Sequence, residues 1–167
     1  MNLLTRNDFQ LFSLPPLFEI NDANLTEAFL KLQAISHPDR FVSGTDSERR
    51  LSLQLATRIN EAHQRLKHPL SRARYICELN GAAIDAETNT AMPSHFLVEQ
   101  MEWREALDDV SSPQALDDLK SLVHEKKTAL LAAISLEIDE KKDYAAAASL
   151  VRQLMFVEKF VTDLTAD

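Results

Sequence analysis

Between Leu51 and Lys67 the residues Leu51, Leu55, Ile59, Ala62, His63 and Leu66 return at three- and four-residue steps, the period of one side of an α-helix. The same step carries Leu25, Ala28, Phe29, Leu32 and Ile35, and later Leu116, Leu119, Val123, Leu130 and Ile134. This pattern occupies a chain with two glycines in 167 residues, where ordinary usage would supply about 7%. A turn-rich β fold needs far more glycine than that, so the expected fold is all-α. The two glycines act as punctuation, Gly44 after a polar loop and Gly81 after a helix.

The first half is organised by Ser36-His37-Pro38-Asp39-Arg40-Phe41, which separates two of these helical stripes. Proline fixes its own φ and drives the preceding residue out of the helical region, so the helix before it must finish near His37. The result is a stiff corner carrying an imidazole and a carboxylate side by side. Asn24 followed by Glu27 reads as the start of the helix before the corner, and Thr45 followed by Glu48 as the start of the helix after it. Residues 8–13 predict one short helix, with Phe9, Leu11 and Phe12 facing a core and Pro15-Pro16 stopping it. His68-Pro69 ends the long helix, and a further helix runs from Leu70 to Leu79 before Asn80-Gly81. His63 lies on an apolar stripe and reads as a core histidine rather than a ligand.

Residues 1–80 carry ten basic and nine acidic side chains, whereas residues 81–167 carry eight and seventeen, a net of −9. A region that acidic repels a phosphate backbone, and no nucleic-acid partner is expected. The single cysteine, Cys77, excludes an intrachain disulfide and any CxxC metal or redox site, and beside Ile76 and Leu79 it reads as a small buried apolar group. The longest apolar stretch, Ala129–Ile138, is about half the length that spans a bilayer, and no leader-like segment opens the sequence. The expectation is a reducing cytoplasmic location, with no membrane partner, metal or cofactor.

The second half predicts a linker followed by three helices. Residues 80–92 lack a helical stripe. A first helix spans about Pro93 to Val110. A second opens at Ser111-Ser112-Pro113, with serine as cap and proline at the first helical position, and runs to about Ile138. A third follows Asp143 and ends near Leu164. On the first of these, Phe96, Gln100, Trp103, Leu107 and Val110 share about 80° of arc and make a sufficient core face. Leu97, Val98, Met101, Glu102, Glu105 and Asp109 share a separate arc of about 140°. Apolar groups rimmed by carboxylates make either a partner-binding patch or a face covered by another helix of the bundle or by the first half of the chain, and periodicity leaves both open. The last helix is apolar nearly all round, with Phe156 lying off the stripe of Tyr144, Ala148, Val151 and Met155.

With these residues in place, residues 8–79 resemble a J-domain: the His-Pro-Asp loop is joined by Ala62, Leu66, Pro69, Arg72 and Tyr75 at the family's spacing. Over nearly the whole length the chain resembles the HscB co-chaperones of iron–sulfur cluster assembly. The match is carried by His68-Pro69-Leu70-Ser71-Arg72-Ala73-Arg74-Tyr75, Phe96-Leu97-Val98-Glu99-Gln100-Met101-Glu102 and Val151-Arg152-Gln153-Leu154-Met155-Phe156. The resemblance implies a J-domain over 1–79 (a helical hairpin with flanking short helices), a linker over 80–92 and a scaffold-binding three-helix bundle over 93–167. It implies an HscA-type heat-shock ATPase chaperone as one partner, met by His37, Pro38, Asp39, Arg40 and Lys31, whose ATPase the loop stimulates. It implies an IscU-type scaffold as the other, held by Leu97, Val98, Met101, Glu102, Glu105, Asp109 and Phe156.

Two other functions fit parts of the sequence. A J-domain co-chaperone for a different client protein would share the first half. An enzyme would need converging groups, but Asp108-Asp109 and Asp117-Asp118 are neighbours that point about 100° apart on a helix. His37, His63, His68, His95 and His124 show no metal-ligand spacing on one helix. Catalysis by this chain is not expected.

Overall fold

A computed structural model describes residues 2–84 and 92–166. Among the described residues there are seven α-helices: α1 (Asp8–Leu11), α2 (Asp22–Ser36), α3 (Asp46–Lys67), α4 (Pro69–Leu79), α5 (Ser94–Asp108), α6 (Pro113–Ser135) and α7 (Tyr144–Leu164). The fold is all-α, as the helical periods and scarce glycine require. It divides into two compact units, residues 1–75 and 76–167, with α4 contributing to both. Of the expected linker over 80–92, residues 85–91 lie outside the described residues; before them Gly81 takes a φ of +79° and Ile84 is buried.

In the first unit α2 and α3 form a hairpin, with α1 and a 3-10 turn at Leu3–Thr5 packed on α3. Leu25, Ile59, Ala62 and Leu66 are buried between them with Phe9, Leu11, Phe12 and Phe18. His63 stacks face to face on Phe29, with centroids 3.9 Å apart and planes 12° from parallel. Burial lowers its pKa, and Lys67 and His68 add to the effect. Thr45 and Glu48 form the expected reciprocal cap of α3.

The start of α2 differs from expectation. Asn21, not Asn24, is the cap, its side chain accepting the Asn24 N–H at 3.0 Å. The helix therefore begins a turn earlier, with Asp22 favourably placed at its positive end. Glu27, freed from capping, pairs with Lys31 at 2.8 Å. Helix α1 is also shorter than its expected span: it stops at Leu11, and Ser13 turns the chain with a φ of +54° before the prolines are reached.

Both ends of the hairpin nearest the corner carry a second difference. Ile35 and Leu51, expected in the stripes, are exposed, and Ser36 and Ser52 are buried instead. Around α2, Ser36 lies about 20° from Leu25 and Ile35 about 80° away; around α3, Ser52 lies about 20° from Ile59 and Leu51 about 80° away. Apolar character suggested the outer pair, while angle selects the inner one.

A buried carboxylate anchors the N-terminal segment to α3 and α4. Asp8 is fully buried, with Arg65 Nε donating to its Oδ2 at 2.6 Å and Arg58 Nη1 ion-paired with Oδ1 at 2.7 Å. The Tyr75 hydroxyl accepts the Asp8 N–H, and Arg58 also donates to the Arg6 carbonyl. Arg72, likewise buried, donates to the carbonyls of Phe18 and Leu66 and so holds the preceding loop against the end of α3.

In the second unit α6 and α7 pack along their lengths through Leu119, Val123, Leu130, Ile134, Val151, Leu154, Val157 and Phe160. Ser112 caps α6 with Pro113 in its first turn, and Asp143 caps α7. Helix α6 does not stay α-helical to Ile138: it passes at Leu136 into a wider π turn through Lys141, closed by Lys142 in the left-handed conformation. Cys77 is buried, and burial pushes its thiol up to about 11, so it behaves as the apolar group its neighbours suggested.

Candidate functional site

The corner after α2 is built by replacing helical hydrogen bonds that Pro38 and the turn remove. In a continued helix the Ala34 carbonyl would accept from residue 38, which as proline has no N–H. Arg40 Nη1 donates to it instead, at 3.2 Å. The Ile35 carbonyl would accept from the Asp39 N–H, which donates to His37 Nδ1 at 3.2 Å. The Ser36 carbonyl would accept from the Arg40 N–H, which turns to the His37 carbonyl at 3.0 Å. Ser52 Oγ, reaching across from α3, fills that place at 2.8 Å.

His37 is thus both the last residue before the corner and the cap of a 3-10 turn over Pro38–Phe41. Accepting at Nδ1 leaves the imidazole proton on Nε2, a fixed tautomer with its N–H on the far edge of the ring. The Asp39 carboxylate faces solvent, with Oδ2 3.6 Å from His37 Nδ1. Beside them Gln33, Ser36, His37, Pro38, Leu53 and Ala56 line a pocket of about 260 Å³. His37, Pro38, Asp39 and Arg40 are all exposed in one short loop. Lys31 stands farther back on α2, exposed and paired with Glu27.

The other candidate residues lie in the second unit. Phe96 and Trp103 point α5 into the core, where Trp103 meets Phe160 with centroids 5.5 Å apart. On the separate arc, Leu97, Val98 and Met101 are 48%, 53% and 63% exposed. Glu102, Glu105 and Asp109 are exposed along the same helix, Asp109 as its C-terminal cap. Phe156, 51% exposed on α7, meets Phe96 edge-on with centroids 6.5 Å apart, which brings it beside the start of α5. Lys126 of α6 closes the other side of Phe96, pairing with Glu99 at 3.0 Å. Of the two readings of the α5 arc, a face covered within this unit is the one the exposures remove.

Among the described residues no group of three or more His, Cys, Asp or Glu side chains stands where it could hold a metal ion. No described helix is long and apolar enough to cross a membrane.

Residues 92–165 match the family model described as the HSCB C-terminal oligomerisation domain. The chain is 44% identical, over 98% of its length and 94% of the relative's, to a "Co-chaperone protein HscB homolog" from Ralstonia nicotianae. The chain belongs to the HscB family. A second HscB homolog, from Aromatoleum aromaticum, is 45% identical over 93% of this chain and 90% of its own length. Among solved structures, HscB from Vibrio cholerae superposes with a TM-score of 0.89 at 35% identity, covering 96% of each chain. Human HscB superposes with a TM-score of 0.92 at 28% identity, covering 97% of this chain and 82% of its own. The protein is a co-chaperone of the HscB type, and the tie to iron–sulfur cluster assembly comes with that membership.

Sequence reasoning missed two contributors to the corner. Arg40 reads from the sequence as a partner-facing charge, yet it also braces the end of α2. Apolarity favours Leu51 over Ser52, whose signal is a hydroxyl residue at an inward-facing angle of an apolar stripe.

Proposed function

We propose that this HscB-family chain is an adaptor that binds an IscU-type scaffold through Leu97, Val98, Met101, Glu102, Glu105, Asp109 and Phe156. It presents that scaffold to an HscA-type chaperone, whose ATPase it stimulates through His37, Pro38 and Asp39, with Arg40 and Lys31 supplying positive charge. The chain performs no catalysis of its own and works in the cytoplasm. One observation carries the reading: apolar Leu97, Val98, Met101 and Phe156 stay about half exposed or more, next to carboxylates, on helices that bury Phe96, Trp103, Val151, Leu154 and Phe160. A free Nε2–H and a solvent-facing carboxylate on a proline-braced corner support the chaperone end.

The test measures scaffold binding by calorimetry and chaperone ATPase with and without this protein. Wild type is expected to bind the scaffold and raise ATP turnover, and H37Q to keep scaffold binding and melting temperature while losing stimulation. Stimulation without scaffold binding would favour a different client. Stimulation that survives H37Q would remove the loop from the function.

A further inference from the structure

We propose that Ser52 is a positioning residue for the His37–Asp39 corner, holding it in the docking geometry from the opposite helix. The inference rests on the chaperone-facing role proposed for the corner and adds a residue to it. Ser52 is buried, as is Ser36, and its hydroxyl donates to the Ser36 carbonyl at 2.8 Å across the hairpin. That carbonyl belongs to the peptide that carries the His37 nitrogen, so fixing it fixes where the His37 backbone starts. The Arg40 N–H that a regular helix would have supplied is committed to the His37 carbonyl at 3.0 Å. A second buried hydroxyl, Ser36 Oγ, donates to the Leu32 carbonyl at 2.8 Å and locks the same turn from within α2. The corner is therefore tied to α3 by a bond that neither its own loop nor α2 provides.

Without the Ser52 hydroxyl the Ser36 carbonyl loses this donor in a buried setting, and the last peptide of α2 can rotate. The corner then samples geometries in which His37 Nδ1 no longer accepts the Asp39 N–H. Only the competent fraction docks, so the apparent affinity for the chaperone falls in proportion while the fully docked complex is unchanged. A competent fraction of one third to one tenth raises the half-maximal concentration roughly 3- to 10-fold.

The experiment titrates an HscA-type chaperone with wild type, Ser52→Ala and Ser52→Thr, and records ¹⁵N resonances of the His37 ring above pH 8. Ser52→Ala is expected to raise the half-maximal concentration by that factor with the same maximal ATPase rate. Its His37 Nδ1 resonance is expected to move toward the tautomer average. Ser52→Thr, which keeps the hydroxyl, is expected to restore both. An unchanged half-maximal concentration in Ser52→Ala overturns the proposal, even if melting temperature falls. Should Ser52→Ala fail to fold, Ser52→Cys, close in volume but a weaker donor, is expected to give a smaller shift of the same kind, and no shift overturns the proposal. If wild type itself gives no stimulation, the chaperone role fails, and the His37 resonances alone decide whether Ser52 sets the corner.

Discussion

The ring of Phe156 meets that of Phe96 edge-on at 6.5 Å, one half exposed and the other fully enclosed. Two aromatic residues in contact thus divide between the core and the surface. Phe96→Ala is expected to cost about 3–5 kcal/mol of stability, because it opens a cavity in the core. Phe156→Ala is expected to cost about 1 kcal/mol, mainly the lost edge contact. Combined with Leu97→Ala and Met101→Ala it should weaken scaffold binding at least tenfold, since each removes exposed apolar area. Urea unfolding and calorimetric titration of the same variants separate the two effects; a large stability loss in the triple variant would show these side chains to be core.

Asp8 is the fully buried partner of two arginines, one of which is itself largely shielded. Removing a buried ion while leaving its counter-charges is costly, and Asp8→Asn is expected to destabilise the first unit by about 3 kcal/mol. Chemical denaturation followed by signals from residues 2–75 would check this, and a loss under about 1 kcal/mol would show the arginines relaxing into solvent.

His63 supplies a pH dependence whose sign follows from its surroundings. Its folded pKa lies below the ordinary value of about 6.5, first through burial and then through Lys67 and His68. The folded state therefore resists the proton that the unfolded chain accepts. Above about pH 6.5 both states are neutral at this site and nothing is lost; as pH falls below that value toward the folded pKa, stability declines. His63→Phe, which keeps a ring against Phe29, should flatten the fall in melting temperature between pH 7 and pH 5. An unaltered slope would place the titration elsewhere.

Lys142 closes the π turn after α6 with φ 55° and ψ 30°, a conformation that costs a side-chain-bearing residue roughly 1–2 kcal/mol. Lys142→Gly is expected to stabilise the second unit by up to about 1 kcal/mol, offset in part by the greater freedom of glycine when unfolded. A melting temperature that falls would mean the lysine side chain is worth more than its strain.

The helices, the caps of α3 and α6 and the corner are legible in the residues alone, because each depends on residues within one or two turns. Thr45 finds Glu48, Ser112 precedes Pro113, and Pro38 ends a helix whatever lies beyond it. The sequence also delimited the α5 arc of Leu97, Val98 and Met101, since a helix can turn only part of its circumference inward. What covers that arc depends on neighbouring helices, and only the packing of α6 and α7 behind Phe96 decided that it stays open. The tertiary structure alone paired Ser52 with the Ser36 carbonyl and Asp8 with Arg58 and Arg65, partners 16 to 57 residues apart. Local periodicity ranks side chains by apolarity, so it favoured Leu51 over Ser52. Burial near the corner is set by where two helices touch and by a carbonyl that Pro38 and its turn left without its helical donor.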